Sequence, residues 1–169
     1  KLGLADACVS AGNTGALMAM SKFVLKTIHG IDRPAIASQI PTYKGRVILL
    51  DLGANVNCTA VNLYQFALMG SILSKSLHSV RPKVALLNIG QESQKGTEVI
   101  KEASNLVANN KDINYIGYIE ADKIYDDIAD VIVCDGFIGN VALKTSEGLS
   151  RFISDIVWQG FNKNFLTKM

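Results

Sequence analysis

Apolar and polar positions follow one repeated order along the chain. A short unbroken apolar run leads into a loop of Gly, Asn, Asp and Ser, then into a segment whose apolar residues recur every three or four positions. Each repeat predicts a strand feeding a helix. The first copy reads as a strand at 7–9, a loop at 10–15 and a helix from about 16 to 28, and a further strand at 35–38 follows Pro34. The second has a strand at 47–50, a loop at 51–55 and a long helix in which Leu63, Phe66, Gly70, Leu73 and Leu77 form a stripe predicted to pack on a sheet. The third has a strand at 84–87, a loop at 88–96, a helix from about 97 to 108 and another strand near 115–118. The last has a strand at 131–134, a loop at 135–140 and a helix beginning near Val141.

Runs such as Val47-Ile48-Leu49-Leu50 and Val131-Ile132-Val133-Cys134 do not alternate, so they predict strands buried on both faces of a mostly parallel sheet. The expected architecture is therefore α/β, a three-layer α/β/α arrangement. No Pro/Ser-rich linker divides residues 1–169, which are read as one domain. A hydrophobic content of 49% and a mean hydropathy of +0.22 exclude intrinsic disorder. The net charge of +2 is scattered, which gives nucleic acid no footprint, and no apolar run is long enough to span a bilayer. Cys8, Cys58 and Cys134 lack a paired spacing and read as reduced thiols, so a cytoplasmic location is expected. The start lacks both Met and a secretory signal pattern, which reads as a fragment.

In a parallel sheet, the loops leaving the carboxyl ends of the strands gather on one edge, where ligands bind against helix N-termini. Loops rich in Gly and Asn suit a phosphate or another oxyanion, although tight strand-to-helix turns also need Gly for packing. GxGxxG and Walker patterns are both absent. Ser10 lacks the glycines of a nucleophile elbow, and His29 and His78 fall at helix ends, as structural or solvated residues rather than zinc ligands. Lys95 stands out as a cation inside a strand-to-helix loop. Lys144, read in the first turn of the last helix, either meets an anion or points to solvent. Asp51 and Asp135 each end a strand before a Gly-containing turn, where a carboxylate caps as readily as it catalyses. Asp126, Asp127 and Asp130 read as a helix end and a turn rather than a metal site.

Taken together, the loops resemble one family. The matching strings are Asp6-Ala7-Cys8-Val9-Ser10-Ala11-Gly12-Asn13-Thr14-Gly15-Ala16, Asp32-Arg33-Pro34-Ala35, Asp51-Leu52-Gly53-Ala54-Asn55, Leu87-Asn88-Ile89-Gly90 with Lys95-Gly96, and residues 134–145 around Asp135-Gly136-Phe137-Ile138-Gly139-Asn140. They are similar to the bacterial acyl-carrier-protein:phosphate acyltransferases, the PlsX-type fatty acid/phospholipid synthesis proteins. The resemblance implies transfer of a fatty acyl group from acyl-acyl-carrier protein to inorganic phosphate, without an organic cofactor. It also implies a fold like those of phosphate acetyltransferase and isocitrate/isopropylmalate dehydrogenase, a homodimer, and a cytoplasmic protein in peripheral contact with the membrane.

On that reading Lys95, Asn88 and Asn140 are the catalytic candidates, with Lys95 binding phosphate or the developing oxyanion. Asn13, Thr14, Gly15, Asn55, Gly90, Gly96, Asp135, Gly136, Gly139 and Lys144 are the substrate-binding candidates. The family's N-terminal Asp-Ala-Met-Gly-Gly-Asp segment and its C-terminal glycine-rich portion have no counterpart here, and Asn57 stands where relatives often carry Asp. Leu149, Phe152, Ile153, Ile156, Val157, Phe161 and Phe165 recur at helical spacing near Trp158, Lys163 and Lys168, an apolar stripe for core or dimer packing or for lipid. Two other readings remain: a non-catalytic module docking acyl-carrier protein or membrane, and a metal-dependent dehydrogenase of the related fold.

Overall fold

The computed structural model describes residues 3–77 and 80–162. It contains a five-stranded sheet in the order β1 (Ala37–Pro41), β2 (Arg46–Leu50), β5 (Val131–Val133), β3 (Lys83–Leu87), β4 (Asn114–Ile119). All neighbouring pairs are parallel except β1 with β2. The central strand, Val-Ile-Val, is fully buried and pairs on both sides, Val131 lying opposite Ile48 and Val84. Its β-branched residues suit a pleated surface covered on both faces.

Side chains alternate between two cores, as the two-residue period of a strand requires. Ile48, Leu50, Val84, Leu86, Val131 and Val133 face α2 (Ala60–Leu77) and α3 (Glu98–Ala108). Val47, Leu49, Ala85, Leu87, Ile132 and Cys134 face the other way, against Ile124, Ala129, and Ala142 and Leu143 of α4 (Gly136–Phe161). A helix α1 (Thr14–Leu25) precedes the sheet, and a short 3₁₀ turn, Ala121–Lys123, follows β4. The mostly parallel α/β/α expectation is met.

Several local expectations are corrected. Residues 7–9 form no strand; they are exposed and pair with none of the five strands, so no ladder hydrogen bonds hold them extended. The strand expected at 35–38 is β1, and it runs antiparallel. Only a tight turn joins it to β2, closed by Thr42 N–H to Gly45 O (3.0 Å), and a connection that short cannot return a parallel strand. On α2, Leu63, Phe66 and Gly70 are buried as expected, but Leu73 and Leu77 are exposed. The 18-residue helix spans about 27 Å against about 17 Å for the five-residue strands, so its end overruns the sheet.

The last helix begins at Gly136 rather than near Val141. Asp135 caps it, its Oδ1 accepting from Ile138 N–H at 2.8 Å, so residues expected in a loop form its opening turns. Lys144 consequently lies beyond the second turn. The Asp126, Asp127 and Asp130 reading stands: Asp126 pairs with Lys123, Asp127 accepts from Thr42 Oγ1 and Lys44 N–H, and Asp130 accepts from Lys83 N–H.

Beyond Leu149 the apolar residues of α4 are exposed, including Phe152, Ile156, Trp158 and Phe161, so they do not form core. His78, Lys163, Phe165 and Lys168 lie outside the described residues. Among the described residues no helix is long and apolar enough to cross a membrane.

Two glycines test this packing. A Cβ on Gly70 would lie 2.5 Å from Val131 Cγ1 and 2.9 Å from Leu50 Cδ1, whereas one on Gly148 meets nothing within 4 Å. Gly70→Ala is expected to lower unfolding free energy by about 1–3 kcal/mol, and Gly148→Ala to raise it by about 1 kcal/mol. Urea denaturation of both variants checks the pair.

Candidate active site

Three loops leave the carboxyl ends of β2, β5 and β3, side by side on one edge of the sheet. The β2 loop is organised by Asp51, a wholly buried carboxylate. Its Oδ1 accepts from Ile36 N–H (2.9 Å) and Ala54 N–H (3.1 Å), and its Oδ2 from Asn55 N–H (2.7 Å) and Asn55 Nδ2 (2.8 Å). Asn55 Nδ2 also donates to Pro34 O at 2.8 Å, so both amide hydrogens of Asn55 hold the loop together.

The β5 loop passes directly into α4, whose first turn lies on this knot. Gly136 N–H donates to Asn55 O at 2.8 Å, and a Cβ on Gly136 would come within 2.8 Å of Asn55 N. A Cβ on Gly139 would overlap Asp51 O and approach Cys134 Sγ. Both glycines are therefore packing glycines. Asn140, one position on, is exposed over Gly53, and its amide makes no hydrogen bond among the described residues. Gly53 sits at φ +114°, a backbone region that glycine enters at little cost.

The β3 loop carries Lys95. Its backbone N–H donates to Glu92 O (3.0 Å), and Nζ lies 3.2 Å from Glu92 Oε1 with the side chain about half exposed. Lys95 Cδ occupies the space a side chain at Gly90 would need. Asn88 supports the loop from below, its Nδ2 donating to Lys95 O at 3.1 Å. Asn88 Oδ1 is buried without a hydrogen-bond partner and packs against Gly96, at φ +91°. Glu92 is held below the usual carboxylate range, first by its own backbone N–H and then by Lys95.

Beside Asn88 and Gly96 lies a hollow of about 420 Å³ lined mainly by Leu87, Ile89, Ile100 and Ile138. A second hollow of about 380 Å³, along Phe137, Val141 and Ile124, shares Leu87, Ala121 and Ile138 with it. An apolar surface thus runs from the Lys95 loop along α4.

Of the remaining candidates, Asn13 caps α1, Oδ1 accepting from Gly15 N–H (2.8 Å) and Ala16 N–H (3.2 Å). Thr14 begins that helix, and Gly15 faces a polar cleft of about 370 Å³ shared with Ala54 and Asn55. Lys22 and Arg33 line the same cleft. Sequence reasoning missed both because it sought cations inside strand-to-helix loops, while these stand on a helix and before Pro34. Lys144 pairs with Glu147 at 2.8 Å, exposed on α4 and away from the strand edge. Asp135 serves as a helix cap.

The thiols near this edge are poorly suited to nucleophilic attack. Burial, helped by Asp135 and then Asp51, pushes Cys58 up to about 11, and burial raises the Cys134 thiol as well. Both stay protonated near neutral pH, where a thiol is a weak nucleophile. What the edge offers instead is the half-exposed Lys95, the exposed amide of Asn140 and an adjoining apolar surface.

The family model described as fatty acid synthesis protein matches residues 1–169. A protein of Nitrosococcus oceani named phosphate acyltransferase is 55% identical over 165 residues, covering 97% of this chain and 48% of its own length. One of the same name from Hydrogenovibrio crunogenus is 58% identical over 167 residues, covering 98% and 50%. The chain thus spans about half the length of the curated relatives it matches. Among solved structures, the EutD phosphotransacetylase from Staphylococcus aureus superposes with a TM-score of 0.62 at 18% identity, over 77% of this chain and 46% of that one. At that identity the likeness concerns the fold alone.

Proposed function

The chain belongs to the fatty acid synthesis protein family, and from that membership together with the geometry of the strand edge we propose that it forms the central part of a phosphate acyltransferase. The reaction moves a fatty acyl group from the thioester of acyl-acyl-carrier protein to inorganic phosphate. The observation that carries this reading is a half-exposed Lys95 in the Asn88–Gly96 loop, whose Asn88, Ile89 and Gly96 line an apolar hollow, with the loop on the same strand edge as the start of α4 and Asn140.

Phosphate is already a nucleophile, so the protein's task is to hold its charge, align it and stabilise the developing oxyanion. A phosphate oxygen attacks the thioester carbonyl carbon and a C–O bond forms. The tetrahedral oxyanion then collapses, the C–S bond breaks, and the carrier thiolate leaves and takes up a proton. The products are acyl phosphate and the free thiol. Lys95 neutralises phosphate or oxyanion charge, Asn140 donates from its exposed amide, and Asn88 holds the Lys95 loop through its bond to Lys95 O. The acyl chain follows the apolar surface along α4. Gly90 and Gly96 make room for Lys95 and Asn88 to adopt these positions.

The exposed apolar stripe of α4 supports a second element of the proposal, self-association as a homodimer. Peripheral membrane contact by the same helix is the other use of that stripe. The non-catalytic docking reading and the dehydrogenase reading are not favoured by the relatives' names.

Hydroxylamine trapping of acyl phosphate formed from palmitoyl-acyl-carrier protein and phosphate tests the activity, in this chain and in a full-length relative carrying the equivalent substitution. Lys95→Ala is expected to lower kcat about 10²–10³-fold, with Lys95→Arg recovering part of it. Unchanged turnover in Lys95→Ala would contradict the assignment. For α4, light scattering after gel filtration should give a dimer for the chain and a monomer for Ile156→Glu; a wild-type chain that stays monomeric at all concentrations overturns the dimer, and vesicle binding lost in the same variant would then favour the membrane.

A further inference from the structure

A cleft lies between α1 and the β2 loop, away from the Lys95 loop. Its volume is about 370 Å³, and Gly15, Lys22, Arg33, Pro34, Ala54 and Asn55 line it. We propose that Lys22 and Arg33 form a second anion site there, one that takes a phosphate-class oxyanion separately from Lys95.

Two cations line the cleft, and no carboxylate pairs directly with either of them among the described residues. Arg33 is oriented by donating from one guanidinium nitrogen to Asn57 O at 3.3 Å, which leaves other donors of its planar fork unused. The neighbouring acids are turned to other partners, Asp32 Oδ2 accepting from Gln65 Nε2 at 3.0 Å and both oxygens of Asp51 accepting from backbone and Asn55 N–H groups, so they keep their charge without pairing with Lys22 or Arg33. Two like charges sharing one opening repel, and an oxyanion between them removes that cost. The N-terminus of α1 is not what draws the ligand, because Asn13 Oδ1 already accepts from its Gly15 and Ala16 N–H groups.

The position is distinct from Lys95. Strands β2 and β3 flank β5, so the loops they feed stand about 10 Å apart with the start of α4 between them. Two anions can therefore occupy the edge together. This inference rests on the acyltransferase reading, in which two phosphate-class groups meet: the attacking inorganic phosphate and the phosphodiester in the thiol-bearing arm of the acyl-carrier protein.

The test compares the chain with Lys22→Ala, Arg33→Ala, Arg33→Lys and Lys95→Ala. All three side chains are exposed, so the variants keep the fold. Inorganic phosphate is titrated at constant ionic strength and read by the shift in unfolding midpoint. Calorimetry then measures palmitoyl-acyl-carrier protein against the carrier lacking its arm. The expected result is a loss of about tenfold in one of these affinities on Arg33→Ala or Lys22→Ala, partly recovered by Arg33→Lys. A loss of phosphate affinity names free phosphate as the occupant. Intact phosphate binding, with the advantage of the arm-bearing carrier abolished, names the phosphodiester. A wild-type chain that binds both probes equally well in every Lys22 and Arg33 variant overturns the second site and leaves the acyltransferase reading in place. A wild-type chain that binds neither probe overturns both.

Discussion

The buried Asp51 carboxylate is the point from which the functional edge is built. Its two oxygens draw in four N–H donors, from Ile36, Ala54 and Asn55, and its own backbone is clamped to Cys134 by Asp51 N–H to Cys134 O at 3.1 Å. Removing a carboxylate from water costs several kcal/mol, and hydrogen bonds to a charged group return about 1.5–3 kcal/mol each, so only a full set of donors makes this burial sustainable. That requirement fixes the course of residues 51–55. It also fixes α4, because Gly136 and Gly139 bring the helix backbone onto the same loop at distances that no side chain allows. Asn140 is thereby set over Gly53, on the edge where Lys95 emerges.

The chemistry follows from what this assembly leaves uncommitted. Its acids cap and knot the loops, and the Cys58 and Cys134 thiols are held protonated by burial and by the nearby carboxylates. The Asn140 amide and Lys95, which pairs with exposed Glu92, are left facing solvent, next to an apolar surface that continues along α4. Such a surface is ill-suited to attack a thioester itself and well-suited to hold an anion that does so. That is the arrangement on which the proposal of direct transfer to phosphate rests.

The fold was legible in the sequence where burial decides structure. The runs at 47–50, 84–87 and 131–133 became strands because every position along them is needed by one of two cores. Legibility failed where a local pattern depends on a partner that sequence does not display. Residues 7–9 have strand composition but no edge to join, and β1 runs antiparallel because of the tight turn at Thr42 and Gly45. The string Gly136-Phe137-Ile138-Gly139-Asn140 looks like a loop, yet its glycines answer to the Asp51 loop across the sheet edge. For the site, the prominence of Lys95 was visible as a cation in a strand-to-helix loop. Asn55 turned inward to hold Pro34 O and Asp51, Lys144 moved away along α4, and Lys22 and Arg33 became visible only once α1 was placed against the β2 loop.

The central claim is direct attack by phosphate beside thiols, Cys58 and Cys134, that stay protonated. The most direct measurement is rapid-quench release of the carrier thiol from palmitoyl-acyl-carrier protein, with and without inorganic phosphate, in a full-length relative and in this chain. The account predicts no thiol release above background without phosphate, and equal rates of thiol and acyl phosphate appearance with it. A stoichiometric burst of thiol in the absence of phosphate, accompanied by acylated protein, would contradict it.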